Sequence, residues 1–178
     1  EYGDYADFKA FNDKAHELGM KVFMDLVYVH CGPNNVIKDK CKDAFQRNPD
    51  GTVKMTKWRF PYLNFESKDV RKYLIDSMLR WMALGCDGFR CDTGDKVPID
   101  FWVEATKTCQ KVNPQLVMIN EGVSVESLKS AFDARYDWRW GRIRGFLVPA
   151  SVKEPFSLPK IMEEVREYDI TTPSDAYS

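Results

Sequence analysis

No stretch of this sequence stays apolar for the roughly 18 residues a bilayer-crossing helix needs, so no membrane segment is expected in it. No signal peptide precedes the first helix either, although neither a secreted nor a cytoplasmic location follows from that. An excess of one charge is also missing. The 26 Lys and Arg residues face 27 Asp and Glu, interspersed, for a formal net charge of −1. That balance argues against nucleic acid as a partner, which usually draws a basic patch or stripe, so no nucleic acid is expected. There is no CxxC spacing among the five cysteines (Cys31, Cys41, Cys86, Cys91 and Cys109), which argues against zinc. Their odd number leaves at least one thiol free or paired outside the chain, and small buried hydrophobes are their simplest reading. An initiating Met is absent as well. The chain opens at Glu1, almost directly into a helix, and reads as a piece of something longer.

What is present is material for one sizeable core, with 44% of the 178 residues hydrophobic. Tyr5 to Leu18 has the spacing of an amphipathic helix with Phe8, Phe11, Ala15 and Leu18 on one face, and Gly19 stops it. "MKVFMDLVYVH", from Met20, follows as a strand expected to be buried on both faces. Turn-rich sequence then runs from Cys31 to Ser67. Helical spacing returns over Lys68 to Leu84, and Gly85 to Asp92 is the second strand. Pro98 opens a helix that Asn113-Pro114 closes, and "QLVMINEG" is the third strand. A short helix over Val125 to Phe132 leads to a fourth strand, "FDARYDWRW", and a last helix, "SLPKIMEEVREYD", whose charge run is a solvated face. This alternation predicts an α/β fold with about four parallel strands and flanking helices. An eight-stranded βα barrel needs about 250 residues, so the chain holds roughly half of one. A small open α/β sheet fits the same pattern.

In parallel α/β folds chemistry gathers at the carboxyl ends of the strands. Here those ends carry Asp25 and His30, then Arg90 and Asp92, then Glu121. Charges that interrupt apolar runs are costly unless they pair or meet a ligand. Asp92 and Glu121 come from consecutive strands, about 4.8 Å apart if adjacent. Carboxyls about 5 to 5.5 Å apart serve a retaining glycosidase as nucleophile and as acid, then base. Arg90, on the face of Asp92, would hold that carboxylate ionised. The apolar lead-in "LVMIN" would keep Glu121 protonated as the acid. A purely structural ion pair fits Arg90 and Asp92 equally well, and a helix-capping role fits Glu121.

Taken in order, "DLVYVH", "GFRCD" and "INEG" resemble the first three signature regions of the alpha-amylase family, glycoside hydrolase family thirteen. "EYGDYADFKAFNDKAHELGMKVFMD" is similar to the helix and third strand of that family's barrel. "PYLNFESKDVRKYLIDSMLRWMALGCDGFRCD" is similar to the helix and fourth strand, and "SLKSAFDARYDWRW" to the approach to the sixth. The resemblance covers essentially the whole chain. It implies residues 1–178 of a single catalytic (β/α)₈ TIM barrel domain, from about the third strand to the sixth helix, with 31–67 as a loop in place of the inserted second domain. It also implies retaining action on α-glucans or maltooligosaccharides. By its motifs Asp92 matches the nucleophile, Glu121 the general acid/base and Arg90 the arginine beside the nucleophile. His30 matches a histidine on the sugar at the cleavage point, and Asp25 the aspartate opening the first region.

Three departures from the family pattern stand out. Val29 replaces the Asn that often binds a structural calcium and offers no side-chain oxygen, so no calcium is expected at that position. Asp95 and Lys96 replace a Lys-His pair on the leaving-group side, so glucan contacts there, Lys96 included, are expected to differ. The region carrying the third catalytic carboxylate is absent, and is expected soon after "TTPSDAYS". The chain by itself is therefore expected to be inactive, and its open barrel edges predict self-association. Trp58 is the candidate sugar contact in "KWRFPYLN", where Phe60 and Tyr62 read as packing. Trp138 and Trp140 share a face of the fourth strand, as core or as a sugar platform. His16 reads as a satisfied surface histidine. A non-catalytic carbohydrate-binding or transporter-associated relative is the alternative function, and retention of Arg90, Asp92 and Glu121 together argues against it.

Overall fold

The computed structural model describes residues 3–136. Helix α1 (Tyr5–Glu17) starts at a capping box. The Asp4 carboxylate accepts the Ala6 and Asp7 N–H groups, and Asp7 accepts that of Asp4. The helix ends in a Schellman motif at Gly19 (φ 74°), where Gly19 N–H donates to His16 and Met20 N–H to Ala15. Helix α3 (Lys68–Ala83) ends the same way at Gly85 (φ 103°), which donates to Met82 while Cys86 N–H donates to Trp81. Each left-handed glycine turns the chain directly into a strand, because a residue with a Cβ adopts that conformation only at a cost. Between these helices lie β1 (Phe23–Leu26) and a short helix, α2 (Ile37–Lys40).

Strand β2 (Gly88–Cys91), helix α4 (Ile99–Gln110), strand β3 (Val117–Asn120), helix α5 (Val125–Ser130) and β4 (Ala134–Arg135) complete the series. The four strands form one sheet in chain order, every pair parallel. Asp25 stands opposite Arg90, and Arg90 opposite Ile119. This is the repeat of βα units the sequence predicts, with α3 packed on α4 and α4 on α5. Gly88 is required by β2's surroundings, since a methyl there would collide with the Phe23 ring and the Val117 carbonyl.

The core runs from the sheet into α3 and α4 through Phe89, Met118, Val70, Met78, Phe101 and Trp102. Tyr28 stacks on Trp102 at 5.9 Å, and Phe65 lies 4.9 Å from Phe101. Residues 31–67 fold back through antiparallel bridges (Phe45 with Leu63, Arg47 with Val53, Met55 with Pro61) and send Ile37, Cys41, Leu63 and Phe65 into the same core.

Two expectations need correction. The α1 face of Phe8, Phe11, Ala15 and Leu18 is not its buried face; Asn12 and Ala15 are buried, while Phe11 and Leu18 are exposed. Asn12 faces the end of α3, where its Nδ2 donates to the Leu84 carbonyl at 2.7 Å. β1 is not buried on both faces either, since Phe23 and Val27 are exposed. Among the described residues β1 pairs only with β2, so its outer edge has no neighbour. The fourth strand is described only at Ala134–Arg135; Trp138, Trp140 and the last expected helix lie outside the described residues.

Candidate active site

Three strand ends bring their charges together because register places them side by side. Asp25 on β1 is the direct neighbour of Arg90 on β2. Asp92 follows β2, its N–H donating to the Leu26 carbonyl, and Glu121 follows β3, its N–H donating to the Cys91 carbonyl. Both carboxylates therefore leave the sheet at the same level. Arg90 sits at the centre. Its Nη1 donates to Asp25 Oδ1 and Oδ2 and to Asp92 Oδ1, each at 3.0 Å. Nη2 pairs with Glu121 Oε2 at 2.8 Å, and Nε donates to the Tyr136 hydroxyl at 3.3 Å. A planar fork of donors is what allows one side chain to serve three carboxylates.

Burial by itself would lower the Arg90 pKa, but the bonds to Tyr136, Asp25 and Asp92 outweigh it and raise it above the usual guanidinium value. Arg90 is a permanent cation facing three acids.

The turn after β2 completes the site. Thr93 has φ 44° and ψ 44°, a left-handed conformation that a β-branched residue seldom takes. It directs the Thr93 N–H to Glu121 Oε2 at 3.0 Å, while Thr93 Oγ1 donates to Asp92 Oδ2 at 3.3 Å. Both contacts of Glu121 thus fall on Oε2. The expectation of an apolar setting for Glu121 is corrected here: the groups facing it are a guanidinium and a backbone N–H.

His30 lies at the rim, bridged to Tyr62, with the Phe60 ring 5.3 Å and the Trp58 ring 6.3 Å away. Trp58 is exposed, and Lys57 Nζ lies 4.5 Å over its ring. Lys96 ends the turn Gly94–Lys96 as an exposed side chain and joins none of the contacts around Arg90. Asp95 is exposed and reaches across to the next loop, accepting the Asn120 amide and the backbone N–H groups of Val123 and Ser124. His16 is paired with Asp87 at 2.8 Å on the opposite side of the sheet, near the strand starts.

Val29 is buried, and its carbonyl accepts the Leu63 N–H. A hard cation finds no oxygen on that side chain.

Tyr136, Thr93 and Asn120 were not among the residues the sequence singled out. Tyr136 directly follows β4 and obeys the same strand-end rule as the others. Asn120 is fully buried directly before Glu121. Thr93 carried no signal, because its role rests on a backbone conformation.

The known proteins this chain is similar to come from one family. Residues 1–59 match the family model described as alpha amylase, catalytic domain. The chain is 30% identical over 141 residues to a cyclomaltodextrinase of a Bacillus species, covering 68% of this chain and 25% of that protein. It is 28% identical over 140 residues to neopullulanase 2 of Thermoactinomyces vulgaris, covering 68% and 24%. The chain thus spans about a quarter of the length of the curated relatives it matches. Among solved structures, an alpha-amylase from Lactobacillus plantarum superposes with a TM-score of 0.82 at 31% identity, covering 97% of this chain and 44% of that one. A maltogenic alpha-amylase from Thermotoga neapolitana superposes with 0.82 at 32% identity, covering 97% and 40%.

Proposed function

The chain belongs to the alpha-amylase family, its four parallel strands an arc of that family's (β/α)₈ barrel, and from this premise we propose that the intact protein cleaves α-glucosidic bonds with retention. The relatives named for cyclomaltodextrin, pullulan and starch-type substrates support α-linked glucose oligomers as the substrate class.

The observation that carries the proposal is the way Arg90 divides two carboxylates. Asp92 gives Oδ1 to Nη1, and Glu121 gives Oε2 to Nη2. One oxygen of each remains for chemistry. Asp92 Oδ2, held only by a 3.3 Å bond from Thr93, attacks the anomeric carbon. As that bond forms, the glycosidic C–O bond breaks, and its electron pair leaves with the glucan oxygen. A proton from Glu121 Oε1 neutralises that oxygen while Oε2 keeps its two donors.

Glu121, now a carboxylate, takes a proton from water. The water oxygen attacks the anomeric carbon, the ester to Asp92 breaks, and Asp92 is regenerated. Arg90 opposes the charge that builds on both acids. Asp25 and Tyr136 orient Arg90, His30 is placed to meet the sugar, and Trp58 offers an exposed face for stacking. Lys96 is assigned an outer glucan contact. No metal step is invoked.

The test is kinetic. Asp92→Asn in the intact protein should abolish turnover of maltooligosaccharides while binding survives. Glu121→Gln should cost about 10² to 10⁴-fold in rate. Undiminished turnover in Asp92→Asn refutes the assignment, and binding without turnover in the unmutated protein favours a non-catalytic relative.

A further inference from the structure

On the reading that Glu121 is the proton donor, we propose that Asp95 is a positioning residue that clasps the loop bearing Glu121 to the turn bearing Asp92. The clasp has several independent contacts. Asp95 Oδ1 accepts Asn120 Nδ2 at 2.7 Å, just before Glu121. Asp95 Oδ2 accepts the Val123 N–H at 2.8 Å and the Ser124 N–H at 3.1 Å, just after it. Glu121 is bracketed on both sides by one carboxylate that belongs to the other catalytic turn. Charge-assisted bonds to backbone N–H groups are among the stronger ones available.

The fit is close where the two segments meet. A methyl on Gly122 would collide with the Asp95 carboxylate, and one on Gly94 would collide with Asn120 Oδ1. The Gly94 carbonyl accepts the buried Trp102 Nε1 at 3.0 Å, which seats the turn on the core. Asn120 also donates to Ser127 Oγ at 2.8 Å, and Arg135 donates to the Val123 carbonyl, fixing the far end of the loop. Asn120 Oδ1 has no hydrogen-bond partner although the residue is fully buried. Its amide is oriented for the sake of Asp95, because an amide turned over would set its oxygen against the Asp95 carboxylate, acceptor against acceptor.

The clasp matters because Glu121 must deliver a proton along one line. A carboxyl displaced by about 1 Å costs on the order of 10²-fold. Substrates separate this from a general disturbance. A maltooligosaccharide leaves as an alkoxide and needs the Glu121 proton. An α-maltoside of dinitrophenol leaves as a stable phenolate, its electron pair departing without a proton as Asp92 bonds to the anomeric carbon. Its kcat/KM is therefore indifferent to where Glu121 sits.

The experiment compares Asp95→Ala, Gly122→Ala and Asp95→Asn in the intact protein on both substrates. Asp95→Ala and Gly122→Ala are expected to lose about 10- to 100-fold in kcat/KM on the oligosaccharide and less than about threefold on the aryl maltoside. Gly122 needs no special backbone conformation, so Ala there acts through the collision with Asp95. Asp95→Asn should recover to within about threefold on both. Its oxygen still accepts Val123 and Ser124, and its new amide meets the turned Asn120 Oδ1. Equal losses on both substrates, or no loss on either, overturn the proposal. If Asp95→Ala does not fold, Gly122→Ala set against Asp95→Asn gives the same decision. Glu121→Gln distinguishes the underlying reading: if it too spares the oligosaccharide, the proton-donor assignment has failed, whereas its loss beside intact Asp95 variants removes only the clasp.

Discussion

Replacing Arg90 by Leu removes the cation that three carboxylates share and keeps much of the apolar stem. The consequences can be sized contact by contact. Bonds from a charged donor contribute about 1.5–3 kcal/mol each where the partners are largely desolvated. Glu121 and Asp92 are of that kind, their side chains 16% and 31% exposed. Asp25 is 59% exposed, and its pair is worth about 0–1 kcal/mol. One guanidinium, itself 22% exposed, serves all three, so their contributions do not simply add. The expected loss is therefore about 3–4 kcal/mol, at the low end of the separate values. Urea unfolding of the intact protein at pH 7 measures it. Arg90→Lys keeps the charge on one nitrogen, so it should lose about half as much stability but still lose turnover. A loss under about 0.5 kcal/mol for Arg90→Leu would refute the reasoning, because desolvation would then cancel the pairing.

Three further outcomes are expected. Asp87 tests pH dependence. Burial would raise its carboxyl pKa, but the Val22 N–H, Lys21 and His16 outweigh it and hold it below the usual value. A depressed pKa means stability present above the unfolded value of about 4 and lost as pH falls through the folded one. Asp87→Asn should therefore cost about 1–3 kcal/mol at pH 7, the difference should shrink as pH falls from the unfolded value through the lower folded one, and an undiminished difference in acid would contradict this. Gly88→Ala should destabilise by about 1–3 kcal/mol through its collision with Phe23 and Val117 carbonyl, measured by thermal unfolding. Trp58→Ala should raise KM for maltooligosaccharides roughly 3- to 10-fold with kcat little changed, and a fall in kcat instead would place Trp58 in the chemical step.

Much of this was legible in the residue pattern, for reasons visible at particular positions. Gly19 announces the end of α1 because it occupies a left-handed cap, whereas Gly85, read as the start of the second strand, proves to cap α3 in the same way, with β2 beginning at Gly88. Arg90, Asp92 and Glu121 announce themselves because charges at the ends of apolar strands need partners, and the register brings those partners together. Periodicity failed where the question was what covers a face. Phe11 and Leu18 have helical spacing, but spacing carries no information about a neighbour for that face. The setting of Glu121 was misread because "LVMIN" describes the strand before it, whereas its actual neighbours, Arg90 and the Thr93 N–H, come from another strand. Asp95 was read as a changed glucan contact because its partners lie 25 to 29 positions away, across a loop closure no local pattern encodes.

The most direct test of the central claim is covalent trapping. The intact protein is treated with a 5-fluoro-α-glucosyl fluoride, whose good leaving group lets the ester form and whose ring fluorine slows its hydrolysis. It is then digested and the labelled peptide is sequenced by mass spectrometry. The account predicts a single glycosyl ester on Asp92, absent from Asp92→Asn. An adduct on Asp25 or Glu121, or steady turnover with no adduct at all, would contradict it.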